Sequence, residues 1–465
     1  MTFGIICVSS RSNSEIADAA RFSYSEKAVF CKKMHILFLT HYFPPEVNAP
    51  ASRTFENARQ WVKAGHRVTV ITCVPNHPKG VVYPGFENRL WQWDEIEGIR
   101  VLRVITYLSS NKGFLKRTLN YISYMFSAAV FSGLVSDADI VVSTSPQFFC
   151  GFAGYFVSRL KRLPWVLEIR DLWPESIVTV GAIKQRGVIR FLELLEKFIY
   201  MKADHIVSVT HAFKNHITKK DVPPEHVSVI TNGADLDMYA PLPRQNSVSD
   251  EYGLGDRFVV SYIGTHGMAH SLKTVLRAAK KLENRKNILF MLVGDGAERG
   301  TLLKEKQRLG SQNVLMLPQQ PKERMPEFLA ASDVCMVLLK KDDLFKTVIP
   351  SKIFEAMAME RPLILGVDGE CRQIVEAARC GIYIEPENHD ELAGAAEALS
   401  LDGALVRELG MNGRRFVRSN YDRGILAGKY LDVLLDLGPA QGLRQPGSRR
   451  LDSLRPAAGK IEKLL

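Results

Sequence analysis

The chain has little cysteine, and none of it falls in a metal-binding or redox pattern. The seven cysteines (Cys7, Cys31, Cys73, Cys150, Cys335, Cys371 and Cys380) are scattered through 465 residues, with no C-x-x-C and no Cys/His cluster. That spacing excludes a zinc module and a disulfide framework and points to a reducing compartment. A long hydrophobic run is missing too. The most apolar stretch, 119–135, is slightly short for a membrane span and contains Asn120 and three serines. It reads as the crossover helix of a βαβ unit. Its basic, aromatic start (Lys112, Lys116, Arg117) can also rest on an anionic bilayer. Residues 1–33 lack the continuous apolar segment of a signal peptide and are expected to be a disordered extension, or to precede a true start at Met34. No helix-turn-helix or RNA-binding signature occurs, so no nucleic acid is expected as a partner.

Hydrophobic residues make up 46% and charged residues 24% of the chain, the proportions of a globular protein rather than a disordered one. Its length exceeds one core and predicts two domains of roughly 200 residues each. The net charge of +11 directs attention to anionic partners, nucleotides or an acidic membrane surface.

From Met34 onward, short β-branched runs alternate with amphipathic helices, the pattern of a doubly wound parallel sheet. Strands are predicted at 35–40, 67–72, 101–105, 140–143, 165–169, 206–209 and 227–230, with a first helix over 52–63. This N-terminal domain, 34–235, is followed by a linker, 236–256, marked by Pro241, Pro243 and a polar run. A second series, 257–420, has strands at 258–263, 288–293, 314–317, 334–338 and 363–365. A closing helix over 421–437 and a basic, disordered tail over 438–465 complete the chain. Two such domains bind their ligand at the carboxyl ends of the strands.

Five stretches carry candidate chemistry. In 348–366, Pro350 can open a helix, so that Ser351, Lys352 and Ile353 offer backbone N–H groups and the Lys352 ammonium to an anion such as a diphosphate. Glu355, one turn on, can accept two hydrogen bonds from a ribose diol. Gly264-Thr-His-Gly267 and Gly294-Asp295-Gly296 each follow a strand and precede a helix, where a backbone must turn tightly or approach a phosphate. Neither has the G-x-G-x-x-G spacing. Glu168-Ile-Arg170-Asp171 places charges at the end of a buried strand. An ordinary structural ion pair between Arg170 and Asp171 is the plain alternative to a catalytic role. The loop 41–53 offers His41, Glu46, Asn48 and Arg53 at the opposite rim.

Taken in order, the opening strand and loop, Arg170-Asp-Leu-Trp-Pro174, Thr231-Asn-Gly-Ala-Asp235, Gly264, Gly294-Asp-Gly296 and Glu355-Ala-Met-Ala358 resemble the retaining glycosyltransferases of family 4, over roughly 34–437. Pro44-Pro-Glu46, Arg170-Asp-Leu-Trp-Pro174 and Pro350-Ser-Lys352 are similar to the branch that builds bacterial surface polysaccharides such as O-antigen and capsule. The resemblance implies a GT-B fold: α/β, two Rossmann-like doubly wound parallel-sheet domains facing across a cleft. It also implies transfer of an N-acetylated amino sugar from a UDP-sugar to a polyprenyl-diphosphate-linked saccharide, without a metal or other cofactor. The expected location is cytoplasmic, peripheral on the inner face of the plasma membrane. In this assignment Glu355 holds the ribose, Ser351 and Lys352 the diphosphate, and Gly264, Gly294, Asp295 and Gly296 line the donor cleft. Arg170, Asp171 and Glu355 are the catalytic set, and His41, Glu46, Asn48 and Arg53 face the acceptor. The chain departs from the family at Thr347, which stands where the first glutamate of E-x7-E is usual, and at Thr265 and His270, where an Arg and a Lys are usual. A GT-B UDP-sugar 2-epimerase and a catalytically silent GT-B scaffold are the alternative readings.

Overall fold

The computed structural model describes residues 33–77, 79–109, 114–145, 147–179 and 183–438. The expected extension before Lys33, the tail beyond Gly438 and Lys112 lie outside them. Runs of aliphatic and β-branched residues form strands buried on both faces, as parallel strands covered by helices must be. β1 (His35–Leu39), β2 (Arg67–Cys73), β3 (Trp91–Ile96), β4 (Ile99–Val104), β5 (Ile140–Thr144), β6 (Trp165–Ile169), β7 (His205–Ser208) and β8 (Val227–Val229) form one sheet. Its order is β3-β4-β2-β1-β5-β6-β7-β8. β9 (Phe258–Ile263), β10 (Ile288–Val293), β11 (Val314–Leu317), β12 (Val334–Leu338), β13 (Leu363–Gly366) and β14 (Gly381–Tyr383) form the second, ordered β11-β10-β9-β12-β13-β14. The second sheet is parallel throughout. This is the GT-B architecture. Strand order reverses between β1 and β5 and between β9 and β12, so each domain opens its crevice beside the loop that follows its central strand.

Two strands escape the sequence pattern. β3 pairs antiparallel with β4 through a turn at Glu97-Gly98, and its side chains are half to fully exposed, so Trp91–Ile96 has no hydrophobic face to declare it. β14 is three residues long and half-buried. The first helix begins earlier than expected, at Ala49 rather than Ser52, because the Asn48 side chain caps it by accepting from the Ala51 N–H and Pro50 fits its first turn.

The polar segment read as a linker is not a free tether. Asn246 caps a short helix, Ser247–Glu251, and Val248 and Leu254 are buried among Val259, Leu289 and Phe328 of the second domain. The closing helix, Arg423–Leu437, returns to the first domain. Its Tyr430 meets the Trp61 ring edge-on at 5.3 Å, and the Trp61 indole donates to the Ala427 carbonyl. The two crossings run side by side: the Ala234 N–H donates to Tyr421 O, and the Arg423 N–H to Ala234 O.

Candidate active site

The second-domain side of the candidate site is built on the carboxyl ends of β9 and β10. Gly264 and Gly294 face each other so closely that a Cβ on Gly294 would lie 1.9 Å from the Gly264 carbonyl oxygen. A Cβ on Gly264 would lie 2.7 Å from the Lys352 Nζ. Both have positive φ, 145° and 148°, so glycine is required at each for space and for backbone. Gly296 is pressed against the backbone of His266, and the His266 N–H donates to Asp295 O, which locks the two glycine loops together. Asp295 spends one side-chain oxygen on the Gly296 N–H and is otherwise exposed.

Lys352 reaches this floor from the helix Lys352–Ala358, its ammonium 4.0 Å from the centre of the buried Tyr262 ring. A ring face attracts a cation without neutralising it. Among the described residues Lys352 has no ion pair and no side-chain hydrogen bond, and burial pushes its pKa down to about 8. Glu355, one turn on and half-buried, likewise has no hydrogen-bond or ion-pair partner among the described residues. Burial raises its pKa, opposed by the charges of Lys322 and Lys352. A cation and a carboxylate held one turn apart, each lacking a protein partner, fit a ligand that brings an anion and a hydroxyl pair.

The expected fan of free N–H groups at this helix start is narrower. The Ile353 N–H bonds to Pro350 O and the Phe354 N–H to Ser351 O, because the first turn closes as a tight turn. Ser351 is half-buried at the N-cap and makes no side-chain cap bond. Thr347 is turned onto Leu344 O, Thr265 accepts from the Tyr262 hydroxyl through its carbonyl, and the His270 imidazole lies 3.4 Å from Leu338 O. Among the described residues Lys352 is therefore the cation at this floor with no hydrogen-bond or ion-pair partner.

On the first domain, Glu168 is completely buried at the end of β6. It accepts from Arg53 Nε at 2.8 Å and from the Thr144 hydroxyl at 2.7 Å. Burial raises its pKa, but the charges of Arg53 and Arg170 with those two bonds outweigh it and hold the carboxyl below its ordinary value. Arg53 spends its remaining donors on Ile230 O, Thr231 O and Asn232 Oδ1, tying the first helix to the end of the domain. Arg170 and Asp171 do not pair with each other. Arg170 donates to Pro50 O, its buried Nε has no partner, and burial pushes its pKa down to about 10. Asp171 is half-buried beside Ser176 and Glu175, and burial pushes it up to about 6.

At the rim, His41 sits in a cluster of Tyr42, Tyr121 and Tyr124 rings, with centroids 5.1 to 5.3 Å away, and burial lowers its pKa to about 4, leaving it neutral. Glu46 accepts the Asn76 and His77 N–H groups at 2.8 Å. Burial pushes it up to about 7. Asn48 serves as the helix cap. The chain also contains two Asp-x-Asp pairs, each with a structural partner: Asp139 accepts from the His35 N–H and Asp235 from Arg59. Glu175, Glu196 and His216 lie close enough to share a cation, but the Lys220 ammonium is paired with Glu196 and lies 3.7 Å from Glu175.

Several residues of the site carried no sequence signal, because their partners are distant in the chain. Lys322 crosses from the second domain to the first, donating to Ser52 and Glu56, and its charge acts on Glu355. Glu370 caps the first-domain helix His211–Thr218 by accepting the His211 and Ala212 N–H groups at 3.1 Å. Arg299 supports the glycine floor from beneath, donating to the Gly294 and Leu317 carbonyls at 2.9 Å. Among the described residues no hydrogen bond or ion pair joins Arg170 or Asp171 to Lys352 or Glu355.

Residues 48–233 match the family model of the glycosyl transferase 4-like domain, and residues 246–416 that of glycosyl transferases group 1. A glycosyl transferase of Escherichia coli K12 named for colanic acid biosynthesis, WcaI, is 25% identical over 383 residues, covering 79% of this chain and 93% of the relative. The Pseudomonas aeruginosa glycosyltransferase WbjE is 26% identical over 272 residues, 57% of this chain and 66% of that protein. Among solved structures, Anabaena HepE in complex with UDP-glucose superposes with a TM-score of 0.67 at 18% identity, over 87% of this chain and all of HepE. With the two domain models matched in order over most of its length, the chain belongs to the GT-B glycosyltransferases of family 4.

Proposed function

We propose that the protein is a retaining, metal-independent transferase. It moves an N-acetylated amino sugar from a UDP-sugar to a polyprenyl-diphosphate-linked saccharide in bacterial surface polysaccharide synthesis. The observation that carries the donor half is the pair Lys352 and Glu355, one turn apart over the glycine floor and both without a hydrogen-bond or ion-pair partner among the described residues. UDP fits it: the ammonium takes the diphosphate and the carboxylate takes the ribose diol. HepE, solved with UDP-glucose, supports a uridine nucleotide, and WcaI, named for colanic acid biosynthesis, supports the polysaccharide setting.

The leaving UDP gathers negative charge as the glycosidic bond breaks. Lys352 neutralises that charge on the donor side. Arg170, with an unsatisfied buried N–H, is the first-domain cation available to the reacting groups, and Asp171 orients it or an acceptor hydroxyl. No side chain serves as a nucleophile here. The acceptor hydroxyl attacks from the face that the departing diphosphate leaves, and the diphosphate takes its proton. The enzyme works at the inner face of the plasma membrane, where a lipid-linked acceptor is held.

The test is UDP release from a panel of UDP-sugars, with and without a short polyprenyl-diphosphate-sugar acceptor, comparing wild type with Glu355→Ala. Acceptor-dependent release that Glu355→Ala abolishes is expected. Release of a free epimerised UDP-sugar without acceptor would assign a 2-epimerase instead, and absence of both UDP binding and release would assign a scaffold.

A further inference from the structure

A helix packed on a sheet needs one apolar stripe. Two helices on the same face of the first sheet have a second one. In Phe114–Phe131, Tyr124 and Ala128 are buried against the sheet, while Leu119, Phe126 and Val130, on the opposite side, are 55%, 61% and 70% exposed. In Arg186–Lys202, Leu192 and Ile199 are buried, while Phe191, Leu194 and Met201 are exposed. The helix between them, Phe148–Lys161, packs against both and adds exposed Phe156 and Leu160. Phe198 joins two of the three, stacking with Phe152 and meeting Tyr155 edge-on. Folding gives no reason for these outward side chains, and an apolar face this broad marks an interaction surface.

Charge identifies the occupant. Phe114–Phe131 and Phe148–Lys161 contain four basic residues (Lys116, Arg117, Arg159, Lys161) and no acidic one, and the third helix adds exposed Arg186, Arg190 and Lys202 against one exposed carboxylate, Glu193. Apolar side chains set in an excess of cations suit acyl chains beneath anionic headgroups. Among the described residues no helix is long and apolar enough to cross a membrane, so the contact is with its surface. The face is also continuous with the rim of the cleft. Tyr121, on the same helix as the outward stripe, lies edge-on to His41 at 5.3 Å, and the Arg117 guanidinium stands over the Tyr121 ring at 5.8 Å.

We propose that these three helices form a docking face for an anionic phospholipid bilayer, which brings the His41 loop to the lipid where a lipid-linked acceptor would be presented. This deepens the membrane setting proposed above, and most of the face lies in helices whose sequence did not suggest it. The test is co-sedimentation of the full chain with phosphatidylcholine vesicles and with phosphatidylcholine/phosphatidylglycerol vesicles, at low and high salt. Three double variants are compared: Phe126→Glu with Val130→Glu, Phe191→Glu with Leu194→Glu, and Arg186→Glu with Arg190→Glu. Calorimetric UDP binding serves as a separate readout of fold and donor site. Wild type is expected to bind the anionic vesicles in a salt-sensitive manner. Each variant should lower the bound-to-free ratio by about tenfold or more with UDP affinity unchanged. Equal binding to neutral vesicles at all salt concentrations, or variants that bind like wild type, would overturn the proposal. So would a wild-type dimer that the same variants dissociate, which would give the face to a second copy of the chain. Vesicle binding without any UDP binding would leave this face standing and remove the transferase reading instead.

Discussion

Lys352 makes donor binding depend on pH in a defined direction. In the free protein burial holds its pKa down to about 8, since the Tyr262 ring cannot neutralise it and no carboxylate pairs with it. A bound diphosphate favours the charged ammonium and raises that pKa. Below about pH 8 the free protein already carries the proton, and affinity for UDP is flat. Above it, binding must take up a proton, so affinity falls as pH rises, by up to about tenfold or 1.4 kcal/mol per unit, until the pKa of the complex is reached. Calorimetric UDP titrations at pH 7, 8 and 9 in several buffers read both the affinity and the proton uptake. Lys352→Met should bind UDP more weakly and lose the slope. Lys352→Arg should lose the slope while keeping more of the affinity, because a guanidinium does not titrate in this range. A wild-type profile flat to pH 9, or the same slope in Lys352→Met, would refute the assignment.

Three further outcomes follow from the packing. Gly294→Ala forces a Cβ into the Gly264 carbonyl from a positive φ, and should cost about 1–3 kcal/mol and remove the shift in Tm that UDP gives to wild type; an unchanged shift would contradict the glycine floor. Arg53→Ala leaves the buried Glu168 without its ion pair and should lower stability at pH 7 by about 3–5 kcal/mol in urea unfolding. In wild type the Glu168 carboxyl sits below its ordinary pKa, so its contribution is present above that value and lost as pH falls through the folded pKa. Without Arg53 the burial penalty is opposed only by the Arg170 charge and the Thr144 hydroxyl, the pKa rises, and the variant should gain relative stability on acidification. Glu370→Ala removes the carboxylate that caps a first-domain helix from the second domain. It should weaken domain closure by about 0.5–2 kcal/mol, seen as a larger radius of gyration in small-angle scattering, and no change would mean closure does not depend on it.

The fold was legible where hydrophobic patterning is dense. β9 to β12 and β6 fall on the expected residues because each is a predominantly apolar run, interrupted only by Ser261 in β9 and Glu168 in β6. β3 was not, since a half-exposed edge strand alternates tryptophan with charge and looks like surface. The segment 236–256 has the composition of a linker, yet Tyr239, Val248 and Leu254 anchor it, and three scattered apolar residues are too few to reveal docking in a sequence. At the site, residues adjacent in sequence were legible: Ser351, Lys352 and Glu355 share one turn, and the glycine loops follow strands. What was hidden depends on contacts far apart in the chain. Tyr262 under Lys352, Arg299 under Gly294, and Lys322 and Glu370 across the domains all act on elements with which they share no local pattern. Arg53 has the residue type of a substrate contact, but its donors are committed to Glu168 and to residues 230–232.

The most direct measurement of the central claim compares UDP and uridine binding by calorimetry in wild type, Lys352→Met and Glu355→Ala. The account predicts that Lys352→Met weakens UDP and leaves uridine nearly unchanged, because the ammonium meets only the diphosphate. Glu355→Ala should weaken both ligands, because the carboxylate meets the ribose. UDP binding of wild-type strength in both variants would contradict the donor site described for this protein.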